Sequence, residues 1–412
     1  MTPAPRRSLP AANFHIVDLF AGPGGLDIAA TIMGVESIGV EWDDPTRATR
    51  TAAGLRTTRE KDVAELGPCD PEVADANVLT GGPPCQSFSV AGNREGHQAL
   101  EDVKRLATRL AGHEDAVTFE AAWKEVKAET DAMSDDRTGL VLQPLRWIME
   151  AKLKREKPYD VIVLEQVPTV LPVWKHYVGI LRATGYAADA HVMNAEQFGV
   201  PQTRRRAVLI ARYAPADEEK TVAFPSPTHQ RYRPGAERLP EVQEPEEGRP
   251  GEDRQEALFT STSTDRPIIR WTAMQDVLRD RPADFEVVSN YGSGGDPKKR
   301  GRRTSEEPAA TVTGKVRRNR VFRLQRTAAG TKQIGEELDR LTLREAGLLQ
   351  SFPAAYPWRS TDVAQQIGNA IPPRLSLHIL SCALGFGEPE EKLLTRLEEW
   401  QPPGAGEPSG SA

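Results

Sequence analysis

The sequence predicts an α/β fold: an open sheet whose ligands sit beyond the carboxyl ends of its strands. Two observations lead there. Short apolar runs of strand length recur at residues 14–20, 76–80, 159–164 and 207–210. The first three are each closed by glycine, proline or an acid, and apolar residues at helical spacing follow. With 412 residues the chain can bury one large core and a smaller one.

Composition narrows the classes. No apolar run reaches the roughly 18 residues of a membrane span. Arg6 and Arg7 lie in the first dozen residues, but Pro3, Pro5 and Pro10 interrupt them and no hydrophobic signal core follows. A cytoplasmic protein is expected. Cys69, Cys85 and Cys382 have no paired spacing, so neither a disulfide framework nor a metal site is expected. The net charge of −6 does not advertise a nucleic-acid binder, yet the basic residues are unevenly placed.

In chain order, a disordered tail is expected over residues 1–12. The strand at 14–20 runs into Ala21, Gly22, Pro23, Gly24, Gly25 and Leu26, a turn that lets backbone approach a ligand before a helix begins near Asp27. The next strand ends at Glu41 and Trp42. A carboxylate there can accept from both hydroxyls of a ribose, and the indole can stack on adenine. Asp62 and Val63 fall where a third strand would end and could read the adenine amino group. The turn is not Gly-x-Gly-x-x-Gly, which argues against a dinucleotide.

After the run at 76–80 come Gly81, Gly82, Pro83, Pro84 and Cys85. The two prolines stiffen the loop that presents Cys85. Most free cysteines are small buried hydrophobes. Here the neighbours are Gly, Pro, Gln and Ser, so an activated thiolate nucleophile is the better reading. Glu165 stands at the carboxyl end of the run at 159–164, and Gln202, Arg204 and Arg206 lead into the run at 207–210. A thiolate, a carboxyl and alternate arginines suit covalent attack on an electron-poor ring. On cytosine, Cys85 would add to C6, Glu165 would hold or protonate N3, Arg206 would bind O2, and Arg204 would position Glu165 and the backbone.

With these residues together, the chain resembles the DNA (cytosine-5)-methyltransferase family, over roughly residues 13–212 and 337–385 and in the family's motif order. The resemblance implies a class I S-adenosylmethionine-dependent methyltransferase fold, a Rossmann-like α/β sheet with a smaller inserted target-recognition domain. It implies a cofactor site for S-adenosyl-L-methionine at Phe20, Gly22, Pro23, Gly24, Gly25, Leu26, Glu41, Trp42, Asp62, Val63, Pro83 and Asn369. The substrate it implies is double-stranded DNA with its target cytosine flipped out of the stack. Gln86, Ser87 and Ser89 would fill or hold the gap in the duplex. Gln202, Arg302, Arg303, Arg317 and Arg318 complete the expected DNA contacts. A nucleoid-associated monomer is expected, and a cognate restriction endonuclease is admitted as a partner that forms no stable complex. The rivals are an RNA (tRNA) cytosine-5 methyltransferase and a non-catalytic protein that binds DNA and cofactor.

The expected organisation is a catalytic and cofactor-binding domain over 13–212, a target-recognition region over 213–336, a return over 337–386 and a tail over 387–412. Two departures from the family pattern stand out. Residues 98–134 form a charged insertion, read as a solvated helical hairpin beside the Cys85 loop, with a DNA-clamping role as the alternative. Gln166 also stands where the family usually has Asn, one methylene longer toward the Pro-Cys loop. Within the recognition region, 214–256 reads as a Pro- and Glu-rich linker and 286–326 as short strands and loops presenting cations. Helices are expected over 140–153, 341–352, 375–384 and 390–400.

Overall fold

Alternate residues of a strand face opposite ways, and here both sets are apolar, so the sheet must be covered on both sides. The computed structural model describes residues 11–84, 94–133, 137–216, 222–239, 267–292, 300–326 and 332–403. Its main sheet is built from β1 (His15–Leu19), β2 (Glu36–Val40), β3 (Val78–Gly81), β4 (Val161–Gln166), β5 (Tyr186–Asn194) and β6 (Arg205–Tyr213). The spatial order is β2-β1-β3-β4-β6-β5. The first four are parallel, and β6 runs antiparallel between β4 and β5.

One face carries Val17, Leu79, Ile162, Leu164 and Leu209, packed under α3 (Arg94–Ala111), α4 (Ala116–Asp131), α6 (Gln143–Leu153) and α7 (Leu171–Ala183). The short α5 (Arg137–Leu140) leads into α6. The other face carries Ile16, Val78, Val161, Val163, Val208 and Ile210, packed under α1 (Gly25–Met33) and helix Pro373–Ala383. Helix α1 is bracketed by Gly24 and Gly34, both left-handed, and Gly34 N–H closes the last turn on Ala30 and Thr31 carbonyls. Asp43 caps α2 (Asp44–Ala52) by accepting from Thr46 N–H.

A second sheet, ordered β10-β9-β7-β8, is made of β7 (Phe285–Gly292), β8 (Arg300–Thr304), β9 (Arg320–Arg326) and β10 (Lys332–Leu338). Its apolar face meets helices Leu343–Leu349 and Val363–Asn369 through Val287, Val321, Leu349 and Ile367. The strands and cations expected over 286–326 therefore form a sheet of their own.

Three expectations change. The hairpin of α3 and α4 forms, but it is not a solvated insertion: Val103, Leu106, Leu110, Phe119 and Val126 are buried in the main core. Val117 is the exception at 79% exposed. No strand ends at Asp62. Thr57 makes a single parallel bridge to Gly39, and Asp62 begins a turn held by Glu65 and Leu66 N–H bonds to its carbonyl. Gly54, Gly67, Pro68 and Pro71 break this stretch too often for a ladder. The strand before the acid also runs further than expected, so Glu165 and Gln166 are its last residues rather than the start of a loop.

Candidate active site and cofactor cradle

Parallel pairing sets Gly81 beside Leu164, so the loop toward Cys85 and the Glu165 carboxyl leave neighbouring strands at one end of the sheet. Cys85, Gln86, Ser87 and Ser89 themselves lie outside the described residues. The chain leading to them is close to Glu165: a Cβ added to Gly82 would sit 3.5 Å from Glu165 Oε2. Gln166 Nε2 donates to the Pro83 carbonyl, and its Oε1 accepts from Val167 N–H. The longer amide thus still reaches the Pro-Cys loop. Arg206 Nε lies 2.5 Å from Glu165 Oε1, with both side chains about nine-tenths buried. Burial lowers the Arg206 pKa and the carboxylate opposes it.

Arg204 is turned elsewhere. Its guanidinium donates to the carbonyls of Val312, Gly368 and Ala370, at 3.1, 2.8 and 2.9 Å, and makes no hydrogen bond to Glu165. It therefore fixes backbone from two distant segments. Gln202 corrects an expectation outright, because it is 0% exposed and cannot face DNA as placed. Its amide donates to Leu349 O and Gln350 Oε1 and accepts from Val312 N–H. Both polar atoms of that side chain are bonded to protein.

The glycine turn fits a nucleoside cofactor. A Cβ on Gly25 would meet Ile371 O at 2.1 Å, and Gly24 holds φ +102°, so both positions call for glycine. Gly22 has φ +55° and open space where its Cβ would be. Glu41 accepts from Gly22 N–H and Asp43 N–H, both at 2.8 Å. Burial raises its pKa against those two bonds. Next to it Trp42 is 68% exposed, a free aromatic face at the carboxyl end of β2. An acid able to accept from ribose hydroxyls, an indole able to stack on a purine and a bare turn able to admit the chain beyond the ribose suit the chemistry of a nucleoside-based methyl donor. Phe20, at φ +59°, and Pro23, whose carbonyl accepts from Tyr356 Oη, belong to the same turn; Leu26 is buried at the start of α1. Asn369 is exposed, with Oδ1 accepting from Gln365 Nε2, two residues before the Ile371 carbonyl that abuts Gly25.

Sequence reasoning missed what holds this turn from below. Arg50 is fully buried and paired with Asp27 at 2.7 Å. It also donates to the carbonyls of Gly22 and Arg56 and to Thr57 Oγ1. Beside this pair Asp18 accepts from Thr80 Oγ1 at 2.6 Å. Burial, and next the charge of Asp27, push the Asp18 pKa from 3.8 up to about 8. A raised carboxyl pKa means the folded chain prefers the proton. The stability it contributes is complete below 3.8 and is lost as pH rises through about 8. Asp18→Asn is therefore expected to melt increasingly above the parent chain as pH is raised from about 5 to about 9. A pH-independent difference in melting temperature would contradict this.

The recognition-sheet cations differ among themselves. Arg302 is bidentate on Glu286, at 3.0 and 2.6 Å, so its fork is already engaged. Arg303 lies over the Tyr232 ring, 4.7 Å from its centroid. Arg317 and Arg318 are exposed on a short 3₁₀ turn after Thr313 and Gly314. Gly314, just before that turn, packs against helix Val363–Asn369, since a Cβ on Gly368 would meet Gly314 N at 2.3 Å. Among the described residues no group of three or more His, Cys, Asp or Glu could hold a metal, and no helix is long and apolar enough to cross a membrane.

Comparison with known proteins agrees with this fold. The family model for C-5 cytosine-specific DNA methylases matches residues 14–106 and 127–382. Among curated relatives, the type II methyltransferase M1.HphI of Haemophilus parahaemolyticus is 26% identical over 75% of this chain and 68% of its own length. The type II methyltransferase M.MthTI of Methanothermobacter thermautotrophicus is 25% identical over 88% of this chain and 95% of its own. Among solved structures, the S. pombe Dnmt2 methyltransferase superposes with a TM-score of 0.52 at 14% identity, over 90% of this chain and 98% of that one. At that identity the superposition speaks for the fold alone, the α/β fold of S-adenosylmethionine-dependent methyltransferases.

Proposed function

The chain belongs to the C-5 cytosine-specific DNA methylase family, and from that premise we propose that it methylates C5 of a cytosine flipped out of a specific duplex DNA sequence. The observation that carries the reading is the Arg206–Glu165 pair at the end of β4, beside the loop that leads to Cys85. In this reading the Cys85 thiolate adds to C6 of the extruded base. Glu165 stabilises or delivers a proton at N3, and the electron pair displaced from the ring accumulates at C5. Arg206 holds the Glu165 carboxyl in place and offers its remaining N–H groups to O2. S-adenosylmethionine, when bound, supplies an electrophilic methyl group to that carbon. Loss of the C5 proton to a base then expels Cys85 and restores the aromatic ring.

The cofactor would be held by Gly22 and its neighbours, with Glu41 on the ribose, Trp42 on adenine and Asp62 at the adenine edge. Extruding a base costs on the order of a few kcal/mol, which contacts from the Cys85 loop and the recognition sheet must offset. Arg317 and Arg318 are the exposed cations best placed for phosphates, which give affinity without sequence choice. Incubation with label-bearing cofactor and either duplex DNA or tRNA tests the substrate. Label at cytosine C5 of duplex DNA is expected. Label confined to tRNA would move the chain to RNA, and label in neither would make it a binding protein.

A further inference from the structure

The family match breaks between residues 106 and 127, within the α3–α4 hairpin. Trp123 lies in that gap, on α4, half-buried against the main core. Its ring faces the guanidinium of Arg146 of α6, with Cζ 5.5 Å from the ring centroid. Arg146 is buried, and each of its three guanidinium nitrogens is hydrogen-bonded. Its Nη2 donates to the carbonyls of Val63 and Leu66, at 2.7 and 2.6 Å. Its Nη1 bonds Glu150 at 2.9 Å and its Nε bonds Gln143 at 2.7 Å, which fix the plane of the fork. Trp147 Nε1 adds a bond to the same Val63 carbonyl at 3.2 Å.

The turn so held is the one that begins at Asp62. No ladder supports it; these side-chain bonds hold it together with the burial of Val63 and Leu66 in the main core. Asp62 is near enough for its charge to act on Arg146. A buried guanidinium with its fork in one plane takes aromatic partners at its face: Trp147 of its own helix lies 5.8 Å from Cζ, and Trp123, at 5.5 Å, is the partner that the hairpin supplies.

We propose that Trp123 is a positioning residue for the adenine end of the cofactor site, acting through Arg146 on the Val63–Leu66 turn. Through this one residue outside the family match, the hairpin would tune affinity for the adenosine half of S-adenosylmethionine. The proposal rests on the reading above that Asp62 meets adenine.

The test compares Trp123→Leu, which keeps apolar bulk and removes the π face, with Trp123→Phe, which keeps a ring. Calorimetry measures binding of S-adenosylmethionine and of 5′-methylthioadenosine, which lacks the amino-acid end. Trp123→Leu is expected to bind both ligands roughly three- to tenfold more weakly, and Trp123→Phe to recover most of the loss. KM for S-adenosylmethionine should rise while kcat and duplex DNA affinity stay near the parent values, a split that general destabilisation would not give. Asp62→Ala is the control. If it weakens 5′-methylthioadenosine and Trp123→Leu does not, the positioning role is overturned. If Asp62→Ala leaves that ligand unaffected, the placement of adenine fails, and this proposal with it.

Discussion

Replacement of Cys85 by serine is expected to abolish methyl transfer while cofactor and duplex DNA still bind. A thiol with an ordinary pKa of about 8.5 is a few per cent thiolate at neutral pH, and a thiolate is a strong nucleophile toward carbon. A serine hydroxyl is almost entirely un-ionised there and needs a base to act at all. Arg206 on β6 is already paired with Glu165, so it has little spare charge with which to activate a hydroxyl. Filter binding and calorimetry on the purified variant should match the parent. Single-turnover methylation should fall to background. The parent chain should also become covalently attached to duplex DNA carrying 5-fluorocytosine, because fluorine cannot leave as the C5 proton does, and the serine variant should not. Substantial turnover or trapping by the serine variant would remove Cys85 from the reaction.

What could be read from the sequence is what local pattern encodes. Strand, bare glycine turn and acid at the next strand end are short-range features, and in the structure the Gly22 turn and the Glu41 carboxylate meet. Burial of polar side chains is set by distant partners. Gln202 looks like a surface amide between Pro201 and a run of cations, yet its partners are 110 to 148 residues away. Arg50 looks like one of several arginines on a polar helix, but its partner Asp27 lies on another helix and its space is defined by Gly39, where a Cβ would meet Arg50 Nη2 at 2.1 Å. The packing of the hairpin is hidden in the sequence for a related reason. Its charged residues dominate the sequence, whereas one apolar stripe of Val103, Leu106 and Leu110 decides where it packs.

Replacement of Glu165 by glutamine is expected to slow methylation by roughly a hundred- to ten-thousand-fold, the range for removing a general acid or base. The amide has nearly the same shape and can still hydrogen-bond N3, but it cannot carry a proton to it. Attack at C6 then has to build charge on the ring without relief, so the covalent step itself slows. The substitution has a second consequence, written in the geometry. Arg206 is buried against the Glu165 carboxylate, and it would be left there opposite a neutral group. Loss of one partner from a buried pair costs about 3–5 kcal/mol. The melting temperature should therefore fall together with activity, and the two effects must be separated. Burst kinetics at a temperature where the variant is folded do so, using 5-fluorocytosine duplex and following adduct formation. A slow burst of full amplitude is expected, since every folded molecule still carries Cys85. A burst as fast as the parent's, with only the amplitude reduced, would mean that Glu165 holds the fold together at this corner and takes no part in the attack.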